Sequence, residues 1–175
     1  MCGLVSGFCY GQAFGVSIKK AELTLSADSY VLSAEMSYNL SEGAKDALQS
    51  GVPLFWDVQI MIRQYRDFFW DKTIVDKIIR YRIQYHALLN MYRVRNEGTG
   101  HVENFSTLSA ALELASVLQN YPIMGKRTLN PEFSYYAEMK IIFDREALPL
   151  PLRPIAYLNS QWYLSSDKYL WPLTK

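Results

Sequence analysis

The chain has 175 residues and a formal net charge of +1, with 50% hydrophobic and 20% charged residues. A chain of this length can bury roughly 70% of its unfolded surface in one domain, so it needs no disulfide or metal for stability. The near-zero charge excludes a global attraction to nucleic acid or anionic membranes, so such binding would need a local cluster of charges.

The first 15 residues carry no charged side chain. Ala13 and Gly15 have the small size that a signal peptidase reads before its cut, although no basic segment precedes the apolar stretch. We expect residues 1–15 to be a signal-peptide remnant, cleaved near Val16, and residues 16–175 to be one periplasmic or otherwise exported domain. The alternative is an ordinary apolar N-terminal strand. No segment reaches the roughly 20 apolar residues that a transmembrane helix needs.

The positions of the cysteines and histidines do not predict a metal site. Cys2 and Cys9 lie inside the signal segment, and the two histidines of the chain are His86 and His101. Their spacings match no zinc pattern. We therefore expect neither a metal nor a cofactor.

Residues 17–26 and 29–38 alternate between apolar and polar side chains, with a tight-turn candidate between them, which predicts a hairpin. Ser41 is placed to cap the amides of a short helix, which Gly51 and Pro53 would end.

Residues 53–95 form the centre of the predicted fold. Apolar side chains fall there at every second position, which predicts two long strands and a third, joined by short turns. The positions that share a face are Leu54, Trp56, Val58, Ile60 and Ile62 in the first strand, and Val75, Lys77, Ile79, Tyr81, Ile83, Tyr85 and Ala87 in the second. We expect the rest of the chain to cover or extend this sheet. Asp57 is expected to face outward.

Residues 66–72 join the two long strands and include Phe68, Phe69 and Trp70 between charged residues. One interpretation is a core plug folded back beneath the sheet, and this is the one that we favour. The other is an exposed aromatic tip that contacts a partner or a membrane surface.

Residues 105–120 carry apolar side chains at spacings of three and four, which predicts a helix that Pro122 ends. Residues 133–143 alternate cleanly and predict a strand with Glu138, Lys140 and Asp144 on its wet face. The prolines of residues 148–154 exclude a central strand and favour an extended surface run whose leucines grip an apolar groove. The aromatic C-terminal tail should be packed.

The predicted fold class is mainly β or α+β, with antiparallel sandwich-like sheets and two helices packed against them. Three segments stand out beside this order of elements, namely Val52-Pro53-Leu54, residues 148–154 and Trp162-Tyr163-Leu164-Ser165-Ser166. With these segments the chain resembles an uncharacterised proteobacterial family, the domain of unknown function numbered four-three-nine-zero, labelled a proline-rich signal peptide protein. The resemblance implies export to the cell envelope and supplies no activity and no catalytic residues.

One local cluster of charge stands out, because it contains no acid. Its members are Lys77, Arg80, Arg82, Arg93 and Arg95. A basic strand face with nearby tyrosines resembles surfaces that hold single-stranded nucleic acid. The interpretation that we favour is a solvated face neutralised by acids of neighbouring strands, such as Glu22, Glu35 and Glu138.

No phosphate loop, nucleophile elbow, paired-histidine helix or EF-hand loop occurs. We therefore expect a non-enzymatic cell-envelope domain that binds a partner protein or lipid. Two alternatives stay open. One is an enzyme of unrecognised type that uses His86 or His101. The other is a binder of polyanions, either anionic lipid or nucleic acid, through the basic face. Nucleic acid is the less favoured of these ligands if the protein is exported.

Overall fold

The computed structural model describes residues 14–173. Most of the predicted signal segment, with Cys2 and Cys9, lies outside these residues, so the prediction of a cleaved leader is not addressed by the fold. Within residues 14–173, no helix is long and apolar enough to cross a bilayer.

Two antiparallel sheets make up most of the described chain, and the larger has six strands in the spatial order β6-β5-β4-β3-β8-β9. Its strands are β3 (Leu54–Gln64), β4 (Lys72–His86), β5 (Met91–Asn96), β6 (Val102–Phe105), β8 (Tyr135–Phe143) and β9 (Tyr169–Pro172). The two long strands and the third that the sequence predicts within residues 53–95 are therefore confirmed as β3, β4 and β5.

The smaller sheet has three strands in the order β1-β2-β7. They are β1 (Gly15–Ser26), β2 (Ser29–Asn39) and β7 (Val117–Gly125). The predicted N-terminal hairpin is confirmed, and Ala27 in its turn adopts a φ of 51°, in the left-handed region that tight hairpin turns require.

The two sheets enclose the core, because the alternation of side chains turns one apolar face of each toward the other. The five apolar side chains that share the inner face of β3 are fully buried, and so are Ala137, Met139 and Ile141 of β8. β4 contacts β7, and β1 contacts both β8 and β9, across the space between the sheets. The predicted class, mainly β with sandwich-like antiparallel sheets, is confirmed.

Trp56 lies at the centre of this core with no solvent exposure. Its indole Nε1–H donates a hydrogen bond to the carbonyl oxygen of Leu164 at 3.0 Å, which satisfies the one polar atom of the side chain. The ring of Tyr38 meets it edge-on at 5.6 Å, and the ring of Phe143 lies 5.2 Å away. The C-terminal tail is therefore tied to the central strand.

The residues after Leu164 continue this attachment by bonding to the edge of β8. The hydroxyl of Ser165 accepts a hydrogen bond from the amide of Phe143 at 2.9 Å, and that of Ser166 accepts from the amide of Ile141 at 2.8 Å. The amide of Ser166 donates to the Ile141 carbonyl at 2.8 Å. β9 then pairs with the other half of β8.

Within residues 14–173, three α-helices pack around the sandwich, one more than the sequence predicts. They are α1 (Glu42–Gln49), α2 (Leu108–Ala115) and α3 (Arg153–Leu158). The buried Ser41 caps α1 as predicted, since its Oγ accepts from the amide of Ala44 at 3.3 Å. Thr107 caps α2 in the same way, by accepting from the amide of Ala110.

The helix predicted over residues 105–120 is wrong in its second half. α2 ends at Ala115, and the chain continues as β7, which contains Pro122. β7 is an edge strand of the smaller sheet, where one side of the strand needs no hydrogen-bond donors, so a proline is tolerated. Leu118 is buried in β7, and its spacing also suits the apolar stripe of a helix, so this position does not distinguish the two structures.

The extended surface run predicted for residues 148–154 is also wrong. A turn precedes α3, and a proline lies in the first turn of that helix, where its missing N–H costs no hydrogen bond. Leu148 is 1% exposed and belongs to the core, whereas Leu150 is 73% exposed and grips no groove.

We expect Trp56→Phe to destabilise the fold by about 1–3 kcal/mol, because it leaves a small cavity and an unpaired buried carbonyl at Leu164. Urea denaturation measures this. Trp70→Phe is the matched control. The Trp70 side chain is 95% exposed, so its substitution should change stability by less than about 0.5 kcal/mol. Equal losses in both variants would contradict this view of the core.

Candidate functional site

The tip of the β3–β4 hairpin carries three consecutive exposed aromatic side chains, which we call the aromatic tip. Phe68 is 92% exposed, Phe69 is 75% exposed and Trp70 is 95% exposed. The core plug that the sequence favoured is therefore wrong, and the exposed alternative describes where these side chains lie. The loop is too short to fold back, since β3 ends at Gln64, β4 begins at Lys72 and the two residues pair directly.

The base of the aromatic tip is held by Asp71. One carboxylate oxygen accepts from the backbone amide of Arg66 at 3.2 Å, and the other accepts from the hydroxyl of Tyr136 at 2.8 Å. The Tyr136 ring lies 4.7 Å from that of Tyr65. Burial, and then the hydrogen bond to Asp71, raise the pKa of Tyr136, so this hydroxyl stays a donor at neutral pH. The three rings thus project from a fixed base.

Arg80, in the middle of the predicted basic face, is bound by two carboxylates. Its Nη1 donates to both oxygens of Asp57, at 3.1 and 2.9 Å, and its Nη2 bonds to Asp144. The guanidinium also lies 4.8 Å from the centre of the Phe55 ring. The positive charge of Arg80 is therefore neutralised within the protein, and little of it is available to attract a ligand.

The other members of the predicted basic face are also engaged. Arg82 and Arg95 share Glu97, at 3.0 and 3.3 Å, and Arg93 donates to the side-chain oxygen of Asn104 at 3.0 Å. Lys77 lies on the opposite, inner face of β4 and donates to the carbonyl of Pro122.

The favoured interpretation, a face neutralised by nearby acids, describes this geometry, but the acids are not those named from the sequence. Glu22 pairs with Lys20, and Glu138 pairs with Arg63 and Lys168. The acids that neutralise the face are Asp57, Asp144 and Glu97.

Asp57 faces outward from β3 as predicted, and its partners hold it in a partly buried position. Partial burial raises the pKa of its carboxyl, the positive charge of Arg80 opposes that rise, and the carboxylate of Asp144 adds to it. Asp57 and Asp144 therefore share the guanidinium of Arg80 in a structural ion cluster. The repulsion between the two carboxylates is offset only while that guanidinium lies between them.

The two histidines do not meet. His101 is exposed, and its Nε2 lies 3.0 Å from Glu103 Oε1 on the short strand β6. His86 ends β4 and is half-buried, and its Nε2 has no hydrogen-bond partner among the described residues. Among residues 14–173, no group of three or more His, Cys, Asp or Glu side chains is arranged to hold a metal ion.

A polar groove lies beside the aromatic tip, and it could not be predicted from the sequence pattern. Glu138, predicted on the wet face of β8, is only 4% exposed. Its carboxylate lies between Arg63 at 3.6 Å and Lys168 at 2.8 Å, in a groove of about 510 Å³ that Trp171 also lines. Alternation alone could not reveal this burial, because Lys168 reaches Glu138 from the C-terminal tail.

We expect Arg80→Met to destabilise the fold at pH 7 by about 1–2 kcal/mol, a modest loss because Arg80 is one-third exposed. Without the cation, burial and Asp144 would raise the folded-state pKa of Asp57 further. The folded state then binds more protons than the unfolded state, so stability falls as pH rises from the unfolded pKa of about 3.9 through the folded value.

The loss should therefore shrink as the pH is lowered toward about 3.5, where the Asp57 carboxyl becomes protonated. Urea denaturation at the two pH values measures this. Arg127→Met is the control, since Arg127 is exposed and forms no ion pair within residues 14–173. A pH-independent loss would contradict the assigned ion pairs.

The model of the family described as Domain of unknown function (DUF4390) matches residues 13–172, which is nearly all of the described chain. No curated protein and no solved structure matches the chain significantly. The match agrees with the resemblance that the Trp-Tyr-Leu-Ser-Ser and Pro-Leu segments indicate. The chain belongs to the DUF4390 family of domains of unknown function.

Proposed function

We propose that this domain is a non-enzymatic binding domain of the cell envelope that attaches reversibly to lipid surfaces through its aromatic tip. The observation that carries the proposal is the near-complete exposure of Phe68, Phe69 and Trp70 on a hairpin whose base is held by Asp71. Three adjacent exposed rings are costly in water and are typical of a contact surface.

Several features favour a lipid surface over a protein partner. The aromatic tip is convex, and a convex tip needs a soft or deeply concave partner. Trp and other aromatic side chains are favoured at the membrane–water interface, where an apolar ring and a polar N–H can both be accommodated. The charges of the loop balance, since Arg66 and Lys72 oppose Asp67 and Asp71. Attachment would therefore depend on apolar contact.

The size of the tip agrees with reversible attachment. Burial of one large apolar side chain contributes roughly 1.5–3 kcal/mol relative to exposure in water. Three rings together give enough to offset part of the cost of association without approaching the irreversible insertion of a transmembrane helix. Tyr65, which is 55% exposed beside the tip, would add to the contact.

The envelope location rests on the uncharged residues 1–15 and on the Ala13-Phe14-Gly15 segment. Cleavage after Gly15 is compatible with the fold, because it would leave β1 almost whole from Val16, whose side chain is buried. The basic face supports a polyanion-binding role less well, because Arg80, Arg82 and Arg95 are bound by carboxylates.

We expect the wild-type protein to sediment with phosphatidylglycerol–phosphatidylethanolamine vesicles and its tryptophan emission to shift to the blue. The variant with Phe68→Ser, Phe69→Ser and Trp70→Ser should lose this binding by at least about tenfold, because it removes the three apolar contacts. Trp70→Phe should keep most of the binding and reduce the spectral shift, since Trp56 and Trp162 are already buried and Trp171 is partly buried.

The salt dependence of vesicle binding distinguishes this proposal from binding through the basic face. Apolar contact should survive an increase from about 50 to 200 mM salt, whereas binding by counterion release would weaken steeply over that range. Arg82→Gln with Arg93→Gln is the matched control and should bind like the wild type. Unchanged binding by the triple serine variant, or its loss in the arginine control, would overturn the proposal.

Export is tested separately. N-terminal sequencing of the protein from the periplasmic fraction of its native host should begin near Val16. An intact Met1 on protein from the cytoplasmic fraction would contradict the envelope location and leave the aromatic tip to be judged by the vesicle experiment alone.

A further inference from the structure

An apolar cleft of about 320 Å³ opens between the two sheets, at the end of the sandwich that carries the aromatic tip. Its apolar lining comes from Leu25, Tyr30, Leu129, Phe133, Tyr135 and Leu173. Its volume lies at the lower end of the roughly 300–1,000 Å³ that small-molecule sites occupy. Tyr65 connects the cleft to the aromatic tip, since its amide donates to the Ser134 carbonyl at 3.0 Å.

The walls of the cleft are held by hydrogen bonds, so the space exists before a ligand arrives. The hydroxyl of Tyr135 accepts from the amide of Asn130 at 3.1 Å, and the amide of Phe133 donates to the Asn130 carbonyl at 3.2 Å. On the other side, the amide of Leu173 donates to the Tyr135 carbonyl at 3.0 Å. A preformed site loses little conformational entropy on binding.

The apolar lining is incompletely covered. Leu25 is 45% exposed and Phe133 is 44% exposed, although both line a concave surface. A ligand with a slender aliphatic chain would cover both side chains and would need no hydrogen bonds from this part of the cleft.

A cation at the rim supplies the polar half of the site. Lys126 lines the cleft and is exposed, and Arg127 follows it. Neither side chain forms an ion pair with a carboxylate in the described part of the protein, including that of the neighbouring Asp28. The backbone amide of Lys126 is anchored to the Asp28 carbonyl at 2.8 Å, which fixes the main chain from which the cation extends at the rim of the cleft.

We propose that this cleft binds one aliphatic chain of an anionic lipid, with Lys126 and Arg127 contacting its carboxylate or phosphate. The apolar lining selects the chain and the unpaired cations select the charged end. The site extends the proposed function, because it lies beside the aromatic tip and would engage a lipid that the tip has reached. It does not require the tip, since a free fatty acid could enter from solution.

The test uses cis-parinaric acid, a fluorescent 18-carbon fatty acid, kept below its micellar concentration. We expect its fluorescence to rise and saturate at one molecule per protein. Palmitate and lysophosphatidylglycerol should both displace it, which would identify the shared anionic-lipid chemistry and show whether a free carboxylate or a lipid phosphate binds better. Hexadecanol should compete more weakly, because it has no charge for Lys126.

Two cleft variants test the location. Leu129→Asp and Phe133→Asp should each weaken cis-parinarate binding by at least about tenfold, because a carboxylate in the apolar cleft opposes both the chain and its acidic end. Phe133 is partly exposed and outside the strands, so this variant should stay folded even if Leu129→Asp does not. Lys126→Glu should weaken binding of both anionic lipids and leave hexadecanol unchanged.

The triple serine variant of the aromatic tip should bind cis-parinarate like the wild type while losing vesicle binding. Failure of the vesicle experiment alone would remove the proposed function and leave the cleft. The cleft proposal would be overturned by three results: no saturable binding to the wild type, wild-type affinity in a folded Phe133→Asp protein, or equal loss of hexadecanol and palmitate in Lys126→Glu.

Discussion

The hydrogen bond from the Trp56 indole to the Leu164 carbonyl is the contact that attaches the C-terminal tail to the core. It joins the central strand of the larger sheet to residues more than a hundred positions later. Because Leu164 is held there, Ser165 and Ser166 are placed to bond to the edge of β8. The Trp-Tyr-Leu-Ser-Ser segment that carries the family resemblance therefore has a structural role.

Alternation in the sequence was sufficient to predict β3, β4 and β8, because one face of each strand is more buried than the other. It was insufficient for residues 116–125, since Ala111, Ala115 and Leu118 fit both a helical stripe and a turn into an edge strand. Composition could not place Phe68, Phe69 and Trp70, because burial of a loop depends on whether the hairpin is long enough to fold back. Nor could it pair Arg80 with Asp144, which lies 64 positions away.

Paired charges and exposed aromatic side chains occupy different parts of the surface. On the outer face of the larger sheet, Arg80, Arg82 and Arg95 find carboxylates on their own or adjacent strands and loops. At the end of the sandwich near residues 65–71, exposed rings, an apolar cleft and the unpaired Lys126 lie in adjoining loops. This end of the molecule thus combines exposed rings, an apolar cleft and an unpaired cation, which is why binding is assigned there.

The edges of both sheets have a consequence for how copies of this protein behave when crowded. β6 and β9 have four residues each, β1 is interrupted by a bulge between Ile18 and Lys20, and β7 contains Pro122. Short, bulged or proline-containing edges offer a poor template for strand addition by another chain. Many copies could therefore gather on one surface by their loops without polymerising through their backbones.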